Sequence, residues 1–76
     1  MQVNIIVFGQ LTDIMGTSLS IDNIADTDNL VKELNKRYPV LMDKKYVMAV
    51  DKQVVIKNIA LTGHNMVALL PPFSGG

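Results

Sequence analysis

The chain contains no cysteine and no tryptophan, a single histidine, and no excess of charge of either sign. Without cysteine it can form no disulfide, thiolate nucleophile or persulfide, and it lacks the sulfur ligands of structural zinc sites. Seven basic residues balance seven acidic ones and the lysines are scattered, so we expect no nucleic-acid partner. The composition therefore offers neither a self-contained redox centre nor a basic binding face.

Long apolar runs are also missing. No segment approaches the ~20 apolar residues that a membrane-spanning helix needs. The sequence opens on a strand-like pattern rather than on a basic segment followed by an apolar signal core. We therefore expect a cytoplasmic protein with no membrane partner.

The polar side chains suggest little chemistry of their own. His64 has no carboxylate or nucleophile beside it in the sequence, so we expect it to be solvated and assign it no catalytic role. The five methionines are dispersed, which favours core packing over a soft-metal site. No Gly-rich phosphate-binding loop occurs. The sequence thus predicts a chain that binds no metal or cofactor itself and is not an enzyme on its own.

The length of 76 residues suits a single domain with one core. In residues 2–8 one face is apolar by alternation, and Ile6 and Phe8 make the other face apolar too, which is typical of a strand covered on both faces. Residues 11–15 are consistent with a helical turn. Alternation over residues 18–22 then predicts a second strand, hairpinned to the first.

A helix is predicted next. Residues 26–28 supply side-chain oxygens that can cap a helix N-terminus. The apolar positions that follow share one helical stripe: Leu30, Val31, Leu34 and Tyr38. The pattern predicts a helix over residues 28–37 that Pro39 terminates.

Three further strands follow the helix. Residues 46–50 and 53–56 are predicted to pair through a turn at 51–52, and the apolar run 66–70 reads as a buried strand entered by a turn at 63–65. Residues 58–61 receive no assignment. The element order predicts an α+β, ubiquitin-like β-grasp fold, a mixed sheet of about five strands with one main helix across it and parallel first and last strands at its centre. Periodicity does not give strand order, so an antiparallel sheet stays open.

The end of the chain is its most distinctive segment. Pro71 and Pro72 have no backbone N–H, so they halt sheet pairing and stiffen the exit. Gly75 and Gly76 leave a thin backbone that can enter a narrow channel. We expect residues 71–76 to form a flexible tail that presents the Gly76 carboxylate to another protein's active site. A frayed end without chemistry is the alternative.

Four segments resemble the MoaD/ThiS family of sulfur carriers: Val7-Phe8-Gly9, Gly16 after the short helix, Val47–Val50, and above all Val67-Ala68-Leu69-Leu70-Pro71-Pro72-Phe73-Ser74-Gly75-Gly76. The resemblance covers the whole chain, but its weight lies in the Pro-Pro-x-x-Gly-Gly ending. Sulfur carriers for thiamine share the fold and the Gly-Gly but usually lack the double proline. The chain therefore looks most like the small, sulfur-carrying subunits of molybdopterin synthases.

The resemblance implies a cycle at Gly76. An adenylating enzyme of the ubiquitin-activating type would use ATP to join the Gly76 carboxylate to AMP, and a sulfur donor would then displace AMP to leave a thiocarboxylate. The tail, with Ser74 and Gly75, would enter the large subunit of molybdopterin synthase within a heterotetramer. There the sulfur would pass to cyclic pyranopterin phosphate to form the molybdopterin dithiolene.

Partner docking is predicted to use the sheet face beside the tail. The candidate residues for an apolar patch are Phe8, Leu69, Leu70 and Phe73. Phe73 follows the prolines and would provide an aromatic anchor. In the alternative, Phe8 and one of the two leucines belong to the core.

Other functions stay open. A ubiquitin-like modifier would share the chemistry up to adenylation and then form an isopeptide bond with a lysine. A thiamine-type carrier would use the same thiocarboxylate for another acceptor. A plain interaction module would carry a Gly-Gly end without chemistry.

Overall fold

The structure, a computed structural model, describes residues 2–72. These residues form one five-stranded sheet, two α-helices and two 3₁₀ helices. The strands are β1 (Gln2–Val7), β2 (Ser18–Asp22), β3 (Val47–Val50), β4 (Gln53–Val54) and β5 (Met66–Leu70). The helices are α1 (Thr12–Met15), α2 (Thr27–Arg37) and two 3₁₀ segments at Gly9–Leu11 and Pro39–Asp43. Within residues 2–72 no helix has the length and apolarity needed to cross a membrane.

The strand order is β2-β1-β5-β3-β4, which puts the last strand of the chain at the centre of the sheet. β5 runs parallel to β1, with Asn4 opposite Met66 and Val7 opposite Leu69. The β1–β2, β3–β4 and β3–β5 pairs are antiparallel. The mixed sheet predicted from the element order is therefore confirmed, and the fully antiparallel alternative is wrong.

The core lies between one face of the sheet and α2. Its least exposed side chains come from β1, α2 and β5: Val3, Ile5, Leu30, Leu34, Val67 and Leu69. Burying a side chain of this size stabilises the fold by about 1.5–3 kcal/mol relative to leaving it in water.

The predicted helix is confirmed. Asp26 caps its N-terminus by accepting the Asn29 N–H at 2.9 Å. The helix ends at Arg37, Tyr38 is its C-terminal cap, and Pro39 begins the 3₁₀ helix that follows.

β1 is covered on one face only, so the prediction of a strand covered on both faces is wrong. Gln2 and Asn4 are exposed, Ile6 is half-buried, and Phe8 just beyond the strand is 45% exposed. α2, the main helix, packs against the face of β1 that carries Val3 and Ile5. Ile6 and Phe8 on this second face therefore remain accessible among the residues that the structure describes.

β4 is shorter than the predicted strand over residues 53–56. Its ladder ends with Val54, although the Val55 N–H still donates to the Met48 carbonyl at 2.9 Å. The chain then turns towards the start of α2, and Ile56 is left 91% exposed. The sequence pattern missed this turn because Val54, Val55 and Ile56 are all good strand formers.

Residues 58–61, which received no assignment from the sequence, brace the start of α2. The Asn58 side-chain oxygen accepts the Asp28 N–H at 2.9 Å and the Thr27 hydroxyl at 3.2 Å. The Ile59 N–H donates to that hydroxyl at 3.0 Å, and the Thr27 N–H donates to the Ile59 carbonyl at 2.9 Å. These bonds satisfy the buried Thr27 and hold the helix N-terminus against the loop.

Candidate functional site

The candidate site is the point where the chain leaves the sheet. Val67 and Leu69 have no exposed area, whereas Leu70 is half-buried and Pro71 and Pro72 are exposed. The Leu69 carbonyl accepts the Phe8 N–H at 3.0 Å, which holds the end of β5 to the end of β1. The two prolines that follow have no N–H to extend the ladder. The chain thus leaves the sheet from its central strand.

Gly9 sets the position of Pro71. Gly9 has φ +66°, and a Cβ placed on it would lie 2.9 Å from Pro71 Cγ and 3.2 Å from Pro71 Cδ. Glycine is therefore needed both for the left-handed backbone and for the close approach of the proline ring. Sequence reasoning gave Gly9 no role of its own. The register of the parallel pair could have indicated a role for Gly9. Val7 lies opposite Leu69, so two residues further along both strands Gly9 comes opposite Pro71.

Beside this exit lies an apolar surface, which we call the outer face, on the side of the sheet away from α2. Alternation along the strands and the observed register place seven apolar residues that are not buried on it: Ile6, Phe8, Val47, Val54, Met66, Ala68 and Leu70. Phe8, Met66 and Val54 are 45%, 48% and 54% exposed. Exposed apolar groups gathered on one face are typical of a protein-binding surface.

The predicted site residues separate into four groups. Phe8 and Leu70 lie on the outer face, and Pro71 and Pro72 lie at the exit. Leu69 lies in the core with no exposed area, so its predicted place in the partner-binding patch is corrected: it follows the inward alternation of Val67. The remaining predicted residues, Phe73, Ser74, Gly75 and Gly76, lie outside the described residues.

The turn before β5 is held by a carboxylate. Asp51 accepts the Met66 N–H at 2.9 Å and the Asn65 side-chain N–H at 2.6 Å. The bond from the Met66 backbone, followed by that from Asn65, lowers the pKa of Asp51 below its ordinary value. Asp51 thereby fixes where β5 begins, at the end opposite the exit.

The single histidine of the chain lies near the end of β5 that is opposite the exit. His64 is exposed in the turn before β5, as expected, where its backbone N–H donates to the Thr62 hydroxyl at 3.2 Å. Residues 2–72 contain no cluster of three or more histidine, aspartate or glutamate side chains that could hold a metal ion. What the described residues provide is a positioned exit and an apolar surface next to it.

A mixed sheet with parallel β1 and β5 at its middle and one long helix packed across it defines a ubiquitin-like β-grasp protein. The model of the ThiS family matches residues 5–76. The chain therefore belongs to the ThiS family, which confirms the resemblance to the MoaD/ThiS sulfur carriers.

Solved structures show the same fold. In the complex of subunits 1 and 2 of molybdopterin-converting factor from Helicobacter pylori 26695, the matching chain has a TM-score of 0.75 and 24% identity, with 100% of both chains covered. SAMP1 from Haloferax volcanii matches with a TM-score of 0.78 and 18% identity over 100% of both chains. The small archaeal modifier protein 1 of Methanosarcina acetivorans matches with a TM-score of 0.79 and 18% identity, covering 99% of this chain and 96% of its own.

Proposed function

We propose that this chain is the sulfur-carrying small subunit of a molybdopterin synthase, with Gly76 as the carrier residue. An adenylating enzyme of the ubiquitin-activating type binds ATP and converts the Gly76 carboxylate to an acyl adenylate. A sulfur donor displaces AMP, and the resulting thiocarboxylate delivers sulfur to cyclic pyranopterin phosphate in the large subunit. Two deliveries build the dithiolene.

The need for adenylation follows from the chemistry of the carboxylate. A carboxylate is a poor electrophile with a poor leaving group, whereas an acyl phosphate expels AMP readily. The chain contains no cysteine that could carry sulfur instead. We therefore assign the carrier role to the Gly76 carboxyl and the binding of ATP to the adenylating partner.

The observation that carries the proposal is the exit at the end of β5. Because β5 is the central strand, its end is held through β1 on one side and β3 on the other. Two prolines then end the ladder, and the Gly9–Pro71 contact gives the departing chain a defined starting point. A fixed exit lowers the entropy cost of placing a short tail in a partner's active site.

The outer face is the proposed docking surface for the large subunit. Phe8 and Leu70 lie next to the exit, so a protein that takes up the tail meets them first. The Helicobacter pylori relative is itself in a complex with a second subunit of molybdopterin-converting factor, which supports a large-subunit partner. Phe73 would add an aromatic anchor at the start of the tail.

The test is an intact mass of the carrier after incubation with ATP, the adenylating enzyme and a sulfur donor, with fragmentation to localise any change. We expect one oxygen to be replaced by sulfur on Gly76. A variant lacking Gly76 should keep its melting temperature and gain no sulfur. An unchanged wild-type mass, with the same enzyme active on its own carrier, would refute the proposal.

A protein-modifier function is the second candidate, because two of the similar structures are small archaeal modifier proteins. In that case the activated Gly76 acyl group would be attacked by a lysine amine of another protein, forming an isopeptide bond with release of AMP. Adducts of raised mass on other proteins, absent for the variant without Gly76, would identify it. A thiamine-type carrier would give the same thiocarboxylate but would not restore dithiolene formation by the large subunit.

A further inference from the structure

A groove of about 390 Å³ lies on the helix side of the exit, away from the outer face. α1 contributes Ile14 to it, the 3₁₀ helix after α2 contributes Val40, and the exit contributes Pro71 and Pro72. Val40 is 44% exposed and Ile14 is half-buried, so the apolar walls are accessible. Three chain segments remote in sequence thus form one groove beside the root of the tail.

The charges around this groove are mainly positive. Lys44 and Lys45 line it, and Asp13 is the single acidic residue among its lining residues. Within residues 2–72 the one ion pair joins Arg37 to Glu33, so neither lysine has a carboxylate partner in that part of the chain. Two ammonium groups beside an apolar cleft suit a segment that carries both an acidic and an apolar side chain.

We propose that this groove receives an acidic loop at the mouth of the adenylating enzyme's channel, with a carboxylate on Lys44 and Lys45 and an apolar side chain between Ile14 and Val40. The inference rests on the proposed function and names a second contact of the same site. Its premise is geometric, because the four residues after Pro72 reach at most about 14 Å when fully extended. An enzyme that acts on Gly76 must therefore place its active site within about 14 Å of Pro72, which lines the groove.

The groove and the outer face are adjacent at the exit. Leu70 belongs to the outer face, whereas the next two residues, Pro71 and Pro72, line the groove. The two surfaces therefore meet at the exit, and a protein that encloses the tail contacts both. The outer face supplies apolar area, and the lysines supply orientation and salt-dependent association.

The first test is a charge reversal measured by isothermal titration calorimetry with the adenylating enzyme and no ATP. We expect the pair Lys44→Glu and Lys45→Glu to raise Kd by about tenfold or more, and to reduce its dependence on salt. The control pair, Lys36→Glu and Lys57→Glu, makes the same change of charge at exposed lysines that do not line the groove. The control should change Kd by less than about threefold. Equal effects of the two pairs would overturn the proposal.

A second matched comparison uses neighbouring residues of one 3₁₀ helix. Val40 lines the groove, whereas Met42 is 67% exposed and does not. Val40→Glu should weaken binding by about tenfold because it places a charge where the apolar side chain of the loop is proposed to pack, and Met42→Glu should leave binding unchanged. Both positions are exposed, so melting temperatures should agree and a folding defect would be visible.

The outcomes keep the two proposals apart. If the wild type binds the enzyme but gains no AMP or sulfur when ATP and donor are added, the proposed function fails, and the binding comparison still decides the groove. If the wild type is adenylated and both lysine pairs bind alike, the groove proposal fails alone. If the wild type does not bind the adenylating enzyme, the groove proposal is overturned.

Discussion

At the scale of single residues, Gly9 has the sharpest consequence. We expect Gly9→Ala to destabilise the fold by about 1 kcal/mol or more, because alanine at φ +66° is strained and its Cβ would meet Pro71. Gly16→Ala is the matched control, since Gly16 has φ +79° but nothing within 4 Å of a Cβ.

Comparing Gly9→Ala with Gly16→Ala separates two effects: backbone strain, which both variants have, and displacement of Pro71, which only Gly9→Ala should cause. Denaturant unfolding should show a loss of stability for both variants. NMR shifts of Pro71 should change only for Gly9→Ala, and adenylation of Gly76 should slow only for that variant. Unchanged Pro71 shifts in Gly9→Ala would contradict the positioning role.

Asp51 predicts a pH dependence with a definite sign. Its pKa is lowered in the folded protein by the bond from the Met66 backbone N–H, so ionised Asp51 stabilises the fold. That stability is present above the ordinary pKa of 3.8 and is lost as the pH falls through the lower folded value. Urea unfolding between pH 7 and pH 2.5 should show it, with a smaller fall for Asp51→Asn. Asp26, lowered chiefly by the Asn29 N–H, adds a fall of the same sign.

At the scale of elements, the loop over residues 58–61 and α2 depend on each other. Asn58→Ala removes the acceptor for the Asp28 N–H and for the hydroxyl of buried Thr27. We expect a loss of about 1–2 kcal/mol in the free energy of unfolding. The neighbouring exposed Lys57→Ala should change it by less than about 0.5 kcal/mol. Chemical denaturation of both variants is the measurement, and equal stabilities would contradict the bracing role.

The elements also differ in how far the sequence alone predicts them. The helix and its cap were predictable because Asp26 and the apolar stripe are local signals. The parallel pair was predicted as part of the β-grasp fold, while the sequence left an antiparallel sheet open. The orientation of residues 66–70 was not predictable, because every residue there is apolar and alternation is invisible. Leu69 was therefore named as a candidate for the surface patch, with one of the two leucines in the core as the alternative, and the structure places Leu69 in the core. The groove could not be found either, since it joins three remote segments.

At the scale of the whole molecule, the core and the proposed docking surface lie on opposite faces of the same sheet. Leu69→Ala should lower stability by about 2–5 kcal/mol, because its side chain has no exposed area. Phe8→Ala should cost about 1 kcal/mol or less but weaken binding of the large subunit by about tenfold or more. Ile56→Ala, at a residue 91% exposed and away from the outer face, should alter neither property.

Thermal unfolding and calorimetric titration with the large subunit test this separation. The result that would contradict it is a Phe8→Ala variant that binds as tightly as the Ile56→Ala variant. A Leu69→Ala variant of wild-type stability would contradict the assignment of Leu69 to the core.

The parallel pairing of β1 and β5 also determines how the domain responds to mechanical force. Gln2 begins β1 and Leu70 ends β5, so the two ends of the described chain lie at opposite ends of neighbouring parallel strands. A pull between them slides one strand along the other and loads all their hydrogen bonds at once, instead of breaking them one after another. If a partner draws on the end of the chain while the start of β1 is held, the whole β1–β5 ladder therefore resists together.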